Sequence, residues 1–340
     1  MEALPTVRVV VLAYGEEPYL GDAVRSALAS RGVDVSVRVV DNGCTSDAVA
    51  MLPADPRVTV VTPAENLGFA GGVNLGAEGA ETEFLTLLNS DAELAPDALS
   101  HLVARAGGEG VGIATPSLRL ADAPDTLNSA GNPLHYTALS WAGAYGEPAA
   151  AHAVSRDVAC CTGAGATMRT SWWREVEGFD ATFFAYHEDV DLSWRTWMLG
   201  RRVVLEPAAI VLHHYEFSRN ALKLYLIERN RAIVQQTLFG SRMRAVQALP
   251  CAALDVAMGM LARKQGWADE QRRAKRWVRE HRDYIRARRA HWQGRRVRSD
   301  RELAPLLTAT LDASMIPLPR VTGVLNALAR GYWAIGRRLV

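Results

Sequence analysis

Residues 7–16 read V-R-V-V-V-L-A-Y-G-E, an apolar run broken only by Arg8 and closed by a polar cluster. A run this short and this rich in β-branched residues predicts a buried strand over Val7–Leu12. The same unit then repeats along the chain. Helical spacing through Leu20, Val24, Ala27 and Leu28 predicts a helix over Pro18–Ser30, and Val35–Val40 predicts a second strand. A short helix over Asp47–Leu52, a strand over Val58–Val61, a helix from Gly71 to Gly79 and a strand over Phe84–Leu88 follow. Strands apolar on both faces and separated by helices imply a mostly parallel sheet covered on both sides, a doubly wound α/β domain. Such sheets bind ligands beyond the carboxyl ends of their strands. The polar clusters fall there: Tyr14-Gly15-Glu16, Asp41-Asn42-Gly43, Glu65-Asn66-Leu67-Gly68 and Asn89-Ser90-Asp91.

Further on, Pro96–Ala106, Ser171–Val176 and Glu188–Leu199 read as helices, and Val203–Pro207 with Ala209–His213 as a last strand pair. From Ala221 the pattern is almost wholly helical. The chain of 340 residues is 49% apolar, enough for a large core and an appendage. Its net charge of +1 hides an asymmetry: Arg263–Arg301 holds fifteen Lys/Arg against five Asp/Glu, so the remainder is acidic. That balance speaks against nucleic acid as the partner and points the basic segment at some other anion. The first residues lack the basic start and apolar core of a secretory signal, and no uninterrupted apolar run reaches about 18 residues. A cytoplasmic protein is the expectation. Cys44, Cys160, Cys161 and Cys251 lack paired spacing, which predicts neither a zinc site nor a disulfide framework.

Four stretches carry candidate chemistry. Residues 178–191, G-F-D-A-T-F-F-A-Y-H-E-D-V-D, set Glu188, Asp189 and Asp191 among large rings. Acids beside apolar rings are costly unless paired, hydrogen-bonded or cation-bound, and desolvation makes a carboxylate a better proton acceptor at neutral pH. Solvated acids on a helix are the alternative. Asn89, Asp91 and Glu93, spaced by two beyond a strand, can converge on Mg²⁺ or Mn²⁺ or else cap the helix at Pro96. Residues 61–74 form a Gly-rich turn into a helix, where Gly68, Gly71 and Gly72 admit a ligand close to the backbone. His213-His214 could complete a metal shell begun by Asp91, or serve structure alone.

Taken in order, Tyr14 after the first strand, V-V-D-N-G-C-T-S-D (39–47), E-N-L-G-F-A-G-G-V-N (65–74), L-L-N-S-D (87–91), G-F-D-A-T-F-F-A-Y-H-E-D-V-D-L-S-W-R (178–195) and P-A-A-I-V-L-H-H (207–214) resemble the inverting glycosyltransferases of family 2, in their rhamnosyltransferase-like branch. The resemblance covers about residues 5–235. It implies a GT-A fold, a nucleotide-diphosphate sugar donor and a divalent metal, Mg²⁺ or Mn²⁺. Tyr14, Asp41, Asn42, Asn66, Gly68, Gly72, Asn74, Asn89 and Asp91 would then line the donor. Asp91, Glu93 and His213 would hold the metal, and Asp189 would be the catalytic base. Glu188, Asp191 and Arg195 would stand on the acceptor side. Two departures stand out: the D-x-D motif opens with Asn89, and Gly15 follows Tyr14 where many relatives have Asn.

The resemblance further implies a catalytic domain over 1–220, with a nucleotide-sugar half over about 1–110 and an acceptor half over about 111–220, and a basic helical region over 221–340. L-rhamnose from dTDP-rhamnose is the expected sugar, passed to a glycan or lipid-linked glycan of the cell envelope. Tailoring of a soluble natural product and sugar nucleotidyl transfer are the alternatives; the acidic Tyr14-Gly15-Glu16-Glu17 counts against the second. Within Arg272–Trp292, Trp277, His281, Tyr284, Ile285 and Trp292 share one helix face among arginines, which suits peripheral contact with an anionic membrane or packing on the catalytic domain. Monomer and homo-oligomer both stay open.

Overall fold

The computed structural model describes residues 3–215, 220–312 and 322–340, so 313–321, inside the expected helical tail, and 216–219, at the expected domain boundary, lie outside the described residues. Its strands are β1 (Thr6–Gly15), β2 (Asp34–Cys44), β3 (Val58–Val61), β4 (Phe84–Asn89), β5 (Ala92–Leu94), β6 (Val111–Leu120), β7 (Ala123–Ser129), β8 (Leu134–His135), β9 (Arg156–Asp157), β10 (Thr167–Arg169), β11 (Arg202–His213) and β12 (Leu307–Thr308). The helices are α1 (Leu20–Leu28), α2 (Gly68–Ala77), α3 (Ala98–Ala106), α4 (Thr170–Glu175), α5 (Glu188–Met198), α6 (Ala221–Thr237), α7 (Ser241–Gln265), α8 (Ala268–Glu280), α9 (Arg282–Gly294), α10 (Asp300–Leu303) and α11 (Thr322–Gly336). Two compact units result. One comprises Met1–Asn132, Ala142–Phe184 and Arg201–Glu216; the other comprises Pro133–Trp141, Ala185–Gly200 and Phe217–Val340. The second unit therefore holds α5 and a short segment near residue 140 as well as the tail.

In the first unit the sheet runs β3-β2-β1-β4-β10-β6-β11-β5, with β7 on β6 and β9 on β11. Strands β3, β2, β1 and β4 are mutually parallel, Val9 lying between Val37 and Thr86. Short β10 runs antiparallel to both β4 and β6, and β6 pairs in parallel with β11. Val7, Val9 and Val11 pack in one cluster with Leu20, Val24 and Ala27 of α1 and Leu99 and Leu102 of α3. On the opposite side α2 closes onto β1 through glycine. A Cβ at Gly72 would stand 2.1 Å from Leu12 Cδ1, and one at Gly76 2.3 Å from Val10 Cγ1. Gly72, expected along the donor, thus serves helix–strand packing.

Three local expectations change. Asp47–Leu52 is a turn rather than a helix: Met51 N–H bonds Asp47 C=O once, and Pro53 stops propagation. The expected strand pair over 203–213 is one strand, β11, whose register shifts between Glu206 and Ile210 around Pro207. And Arg272–Trp292 is not one helix; it breaks at His281 into α8 and α9.

That break divides the expected common face, and part of it packs on protein. Ile285 and Trp292 are buried, Trp277 stacks on His281 with centroids 4.0 Å apart, and Arg229 lies over the Trp277 ring. Of the segment's rings Trp292 is buried, Trp277 and Tyr284 are half-buried and His281 is exposed. Helix α7 differs in kind. Its 25 residues contain an 18-residue window of mean hydropathy 1.5 that is only 11% buried, so by length and composition it could cross a membrane. No disulfide forms among the described residues.

Candidate active site

Parallel pairing sets the carboxyl ends of β1, β2 and β4 side by side, Leu12 opposite Val40 and Asn89. Tyr14 ends β1 with its side chain 57% exposed, beside Gly43. Asp41 Oδ1 accepts from the N–H groups of Gly43 and Cys44, at 3.3 and 2.9 Å, which fixes the turn after β2. Buried Asn42 is used up by the loop: Nδ2 donates to Asn66 Oδ1 and Gly68 C=O, while Oδ1 accepts from Leu67 N–H. Asn66 in turn accepts from Gly68 N–H at 2.8 Å. Asn74 clamps Phe179 from both sides, donating to its C=O at 2.8 Å and accepting from its N–H at 2.9 Å. These asparagines shape the Gly-rich loop and tie it to the 178–184 stretch; Asn42 and Asn74 are engaged on both amide atoms, while Asn66 is exposed and engaged through Oδ1.

Gly68 opens α2 at φ +69°, and a Cβ there would lie 2.4 Å from Phe184 C=O. Only glycine fits that approach. Of the expected donor residues, then, Tyr14, Asp41, Asn89 and Asp91 stand at the strand ends with accessible surface, and Asn42, Asn66, Gly68, Gly72 and Asn74 support them.

Asp91 and His213, 122 residues apart, meet: His213 Nε2 lies 3.0 Å from Asp91 Oδ1, and His214 N–H donates to Asp91 C=O. The antiparallel pairing of β5 with the end of β11 brings them together. Asn128 Oδ1 faces His213 Nδ1 at 3.0 Å. An amide oxygen only accepts, so Nδ1 carries a proton and the ring directs Nε2 at the Asp91 carboxylate. Two donor atoms so placed repel unless a proton or a cation is shared between them. Neighbouring ligands on an octahedral Mg²⁺ or Mn²⁺, at about 2.1 Å, lie about 3.0 Å apart, so the pair fits two adjacent positions.

Glu93 does not join them. Its Oε1 accepts from His214 Nε2 at 2.8 Å, and the His214 ring stacks on Tyr19 with centroids 3.7 Å apart. Among the described residues no three His, Cys, Asp or Glu side chains converge as a metal cluster. Of the expected three, Asp91 and His213 face one another and Glu93 faces His214. Glu17, which sequence reasoning did not select, does stand close: burial, together with the Asp91 charge, raises its carboxyl above the usual range against lowering bonds from Tyr14 N–H and Ser90. Asn128 was missed too, since nothing in a β7 sequence marks it as a partner of a histidine 85 residues away.

The second unit carries the other acids. Tyr186 and His187, both at φ +67°, turn the chain into α5. Non-glycine residues in this region are strained and persist only where neighbours hold them. Here Asn230 Nδ2 donates to the carbonyls of Ala185 and Tyr186, and His187 Nε2 donates to Ala138 C=O at 3.2 Å. Burial lowers His187 to about 4, so it is neutral.

Asp189 is half-buried in the first turn of α5, its Oδ1 accepting from Val190 N–H at 2.8 Å. Asp191 and Arg195 are each 1% exposed and bonded to one another, Oδ2 to Nε at 2.8 Å, with Arg288 on Asp191 Oδ1. Their expected place at the acceptor gives way to a buried ion network that fixes α5 on α9. Arg288 was illegible in a segment of like arginines.

Glu188 is buried, and its Oε2 has no hydrogen-bond partner among the described residues. Burial, aided by the charge of Asp189, pushes its carboxyl up to about 8, so it holds its proton at neutral pH. The folded state then binds a proton that the unfolded chain releases above about 4.5. Stability from this group is complete below that pH and is lost as pH rises through about 8. Thermal melts from pH 5 to 9 should show the wild type losing Tm across that range and Glu188→Gln losing markedly less. Parallel profiles would refute the buried neutral acid.

Residues 5–234 match the family model described as glycosyltransferase like family 2. The chain is 37% identical over 121 residues to the succinoglycan biosynthesis protein ExoO of Rhizobium meliloti, across 35% of this chain and 34% of that one. It is 27% identical over 231 residues to the N-acetylglucosaminyl-diphospho-decaprenol L-rhamnosyltransferase of Mycobacterium tuberculosis H37Rv, across 61% and 75%. The crystal structure of GalNAc-T7 with UDP, GalNAc and Mn²⁺ superposes with a TM-score of 0.58 at 15% identity, over 73% of this chain and 51% of that one. The chain thus spans about a third of ExoO and half of GalNAc-T7. That likeness places the α/β sheet in the GT-A class of folds. With six motifs in order, parallel strands ending at Tyr14, Asp41 and Asn89, and a family match over more than half its length, the chain belongs to glycosyltransferase-like family 2.

Proposed function

We propose that the protein is a metal-dependent inverting glycosyltransferase that moves a hexose from a nucleotide-diphosphate donor to a hydroxyl of a lipid-linked cell-envelope glycan. One observation carries this reading: the Asp91–His213 pair, oriented by Asn128, at the carboxyl ends of a parallel sheet. The donor's base would stack on the exposed Tyr14 ring, with the ribose against Asp41. Asp91 and His213 would hold Mg²⁺ or Mn²⁺, which when bound neutralises charge on the diphosphate leaving group.

Asp189 accepts the proton of the acceptor hydroxyl. That oxygen bonds to the anomeric carbon as the bond from carbon to diphosphate oxygen breaks on the opposite face, releasing nucleoside diphosphate. A single displacement inverts the anomeric centre. Neutral Glu188 has no capacity to take that proton, which leaves the role to Asp189. The L-rhamnosyltransferase relative supports L-rhamnose as the transferred sugar, for which dTDP-rhamnose is the donor to try first, and a polyprenyl-diphosphate-linked sugar as acceptor.

A thermal-shift screen of dTDP-rhamnose, UDP-galactofuranose, UDP-glucose and GDP-mannose tests the reading. In Mn²⁺, one donor at about 100 Kd should stabilise the fold by about 2.7 kcal/mol, and EDTA should abolish the shift. No shift with any nucleotide-sugar would overturn it.

A further inference from the structure

We infer that the exposed faces of α7 and α11 form a docking surface for an anionic phospholipid bilayer, on which both helices lie flat. They are neighbours in the second unit: Tyr332 Oη donates to Val246 C=O at 2.6 Å, and a groove of about 640 Å³ runs between them, walled by Val246, Ile335 and Leu339. Along α7, Leu249, Val256 and Met260 are 69%, 63% and 60% exposed; along α11, Val324, Leu328 and Ile335 are 63%, 66% and 68% exposed. On α7 the exposed residues between Ala245 and Met260 are all uncharged, a strip of about 22 Å at the helical rise.

Among the described residues, the charges carried by α7 and α11 themselves, Asp255 aside, have one sign. Arg242 stands at one end of α7 and Arg263 with Lys264 at the other, all exposed; α11 and the residues after it contribute Arg330, Arg337 and Arg338 and no acid. The one acid of α7, Asp255, is paired with Arg231 at 2.8 Å and faces Lys275 of α8. Apolar surface flanked on its own two helices by exposed cations suits lipid headgroups with acyl chains behind them.

The sign of these charges also selects the occupant. A second copy of the chain would press the same arginines against their like, whereas anionic lipid complements them. Lying flat is favoured over crossing. A spanning α7 would carry Asp255 into hydrocarbon and break its pair with Arg231.

This inference is independent of the catalytic reading, because binding is read without donor or acceptor. The test is flotation of the full chain with phosphatidylcholine vesicles, with and without phosphatidylglycerol. The chain should float with phosphatidylglycerol vesicles and less so at high salt. The variant Leu249→Glu/Val256→Glu/Met260→Glu should lose about tenfold of its bound fraction. All three positions are exposed, so an unchanged melting temperature verifies its fold. A wild type that stays with the soluble fraction, or a triple variant that floats equally, overturns the inference. So does a dimer in light scattering that the same variant dissociates while vesicles bind neither protein.

Discussion

Asp189→Asn should lower kcat by about 10²–10⁴ while leaving donor affinity unchanged. The substitution keeps shape and size, and its side-chain oxygen can still accept from Val190 N–H as Asp189 Oδ1 does at 2.8 Å. The amide lacks the capacity to take a proton. The nucleotide is expected at Tyr14, Asp41 and Asp91, and the substitution changes none of them. Single-turnover rates and donor titration calorimetry on the same preparation separate the two effects. Turnover at the wild-type rate would remove Asp189 from the mechanism, and a matching loss of donor affinity would mark it as structural.

The largest stability effect is expected from Arg288→Met, about 3–5 kcal/mol of destabilisation in urea unfolding. Asp191 is 1% exposed, and its two oxygens are served by Arg195 and Arg288. Arg288 also donates to Thr237 Oγ1. Removing the guanidinium leaves a buried carboxylate with half its partners, and the deep site offers little water to replace them. Adding Asp191→Asn should recover a substantial part of the loss, because the uncompensated charge disappears. A single variant within about 1 kcal/mol of wild type would mean that the network is hydrated in solution.

Much of this was legible in the sequence because it rests on local patterns. The strands over Val7–Leu12, Val35–Val40 and Phe84–Leu88 were read from β-branched runs, and their parallel order from the helices between them. The short helix over Asp47–Leu52 failed because one hydrogen-bonded turn cannot propagate into Pro53. Misreading of Arg272–Trp292 had a different cause. Helical spacing places side chains on a common face without saying whether that face meets solvent or protein, and here Ile285 and Trp292 turn inward. The exposed apolar helix is α7 instead, where Asp255 interrupts the apolar run yet is neutralised by Arg231 from a separate helix.

By itself, then, the sequence determined the class of fold, the family and the positions of the chemistry-bearing acids, since each depends on residue types at short spacing. Only the tertiary structure decided which of those acids remain available. It joined Asp91 to His213 and gave Glu93 to His214. It enclosed Asp191 with Arg195 and Arg288, and buried Glu188 until it keeps its proton. The physical reason is the same throughout: a carboxylate's role follows from its desolvation and its partners, and those partners come from residues up to 122 positions away in the chain.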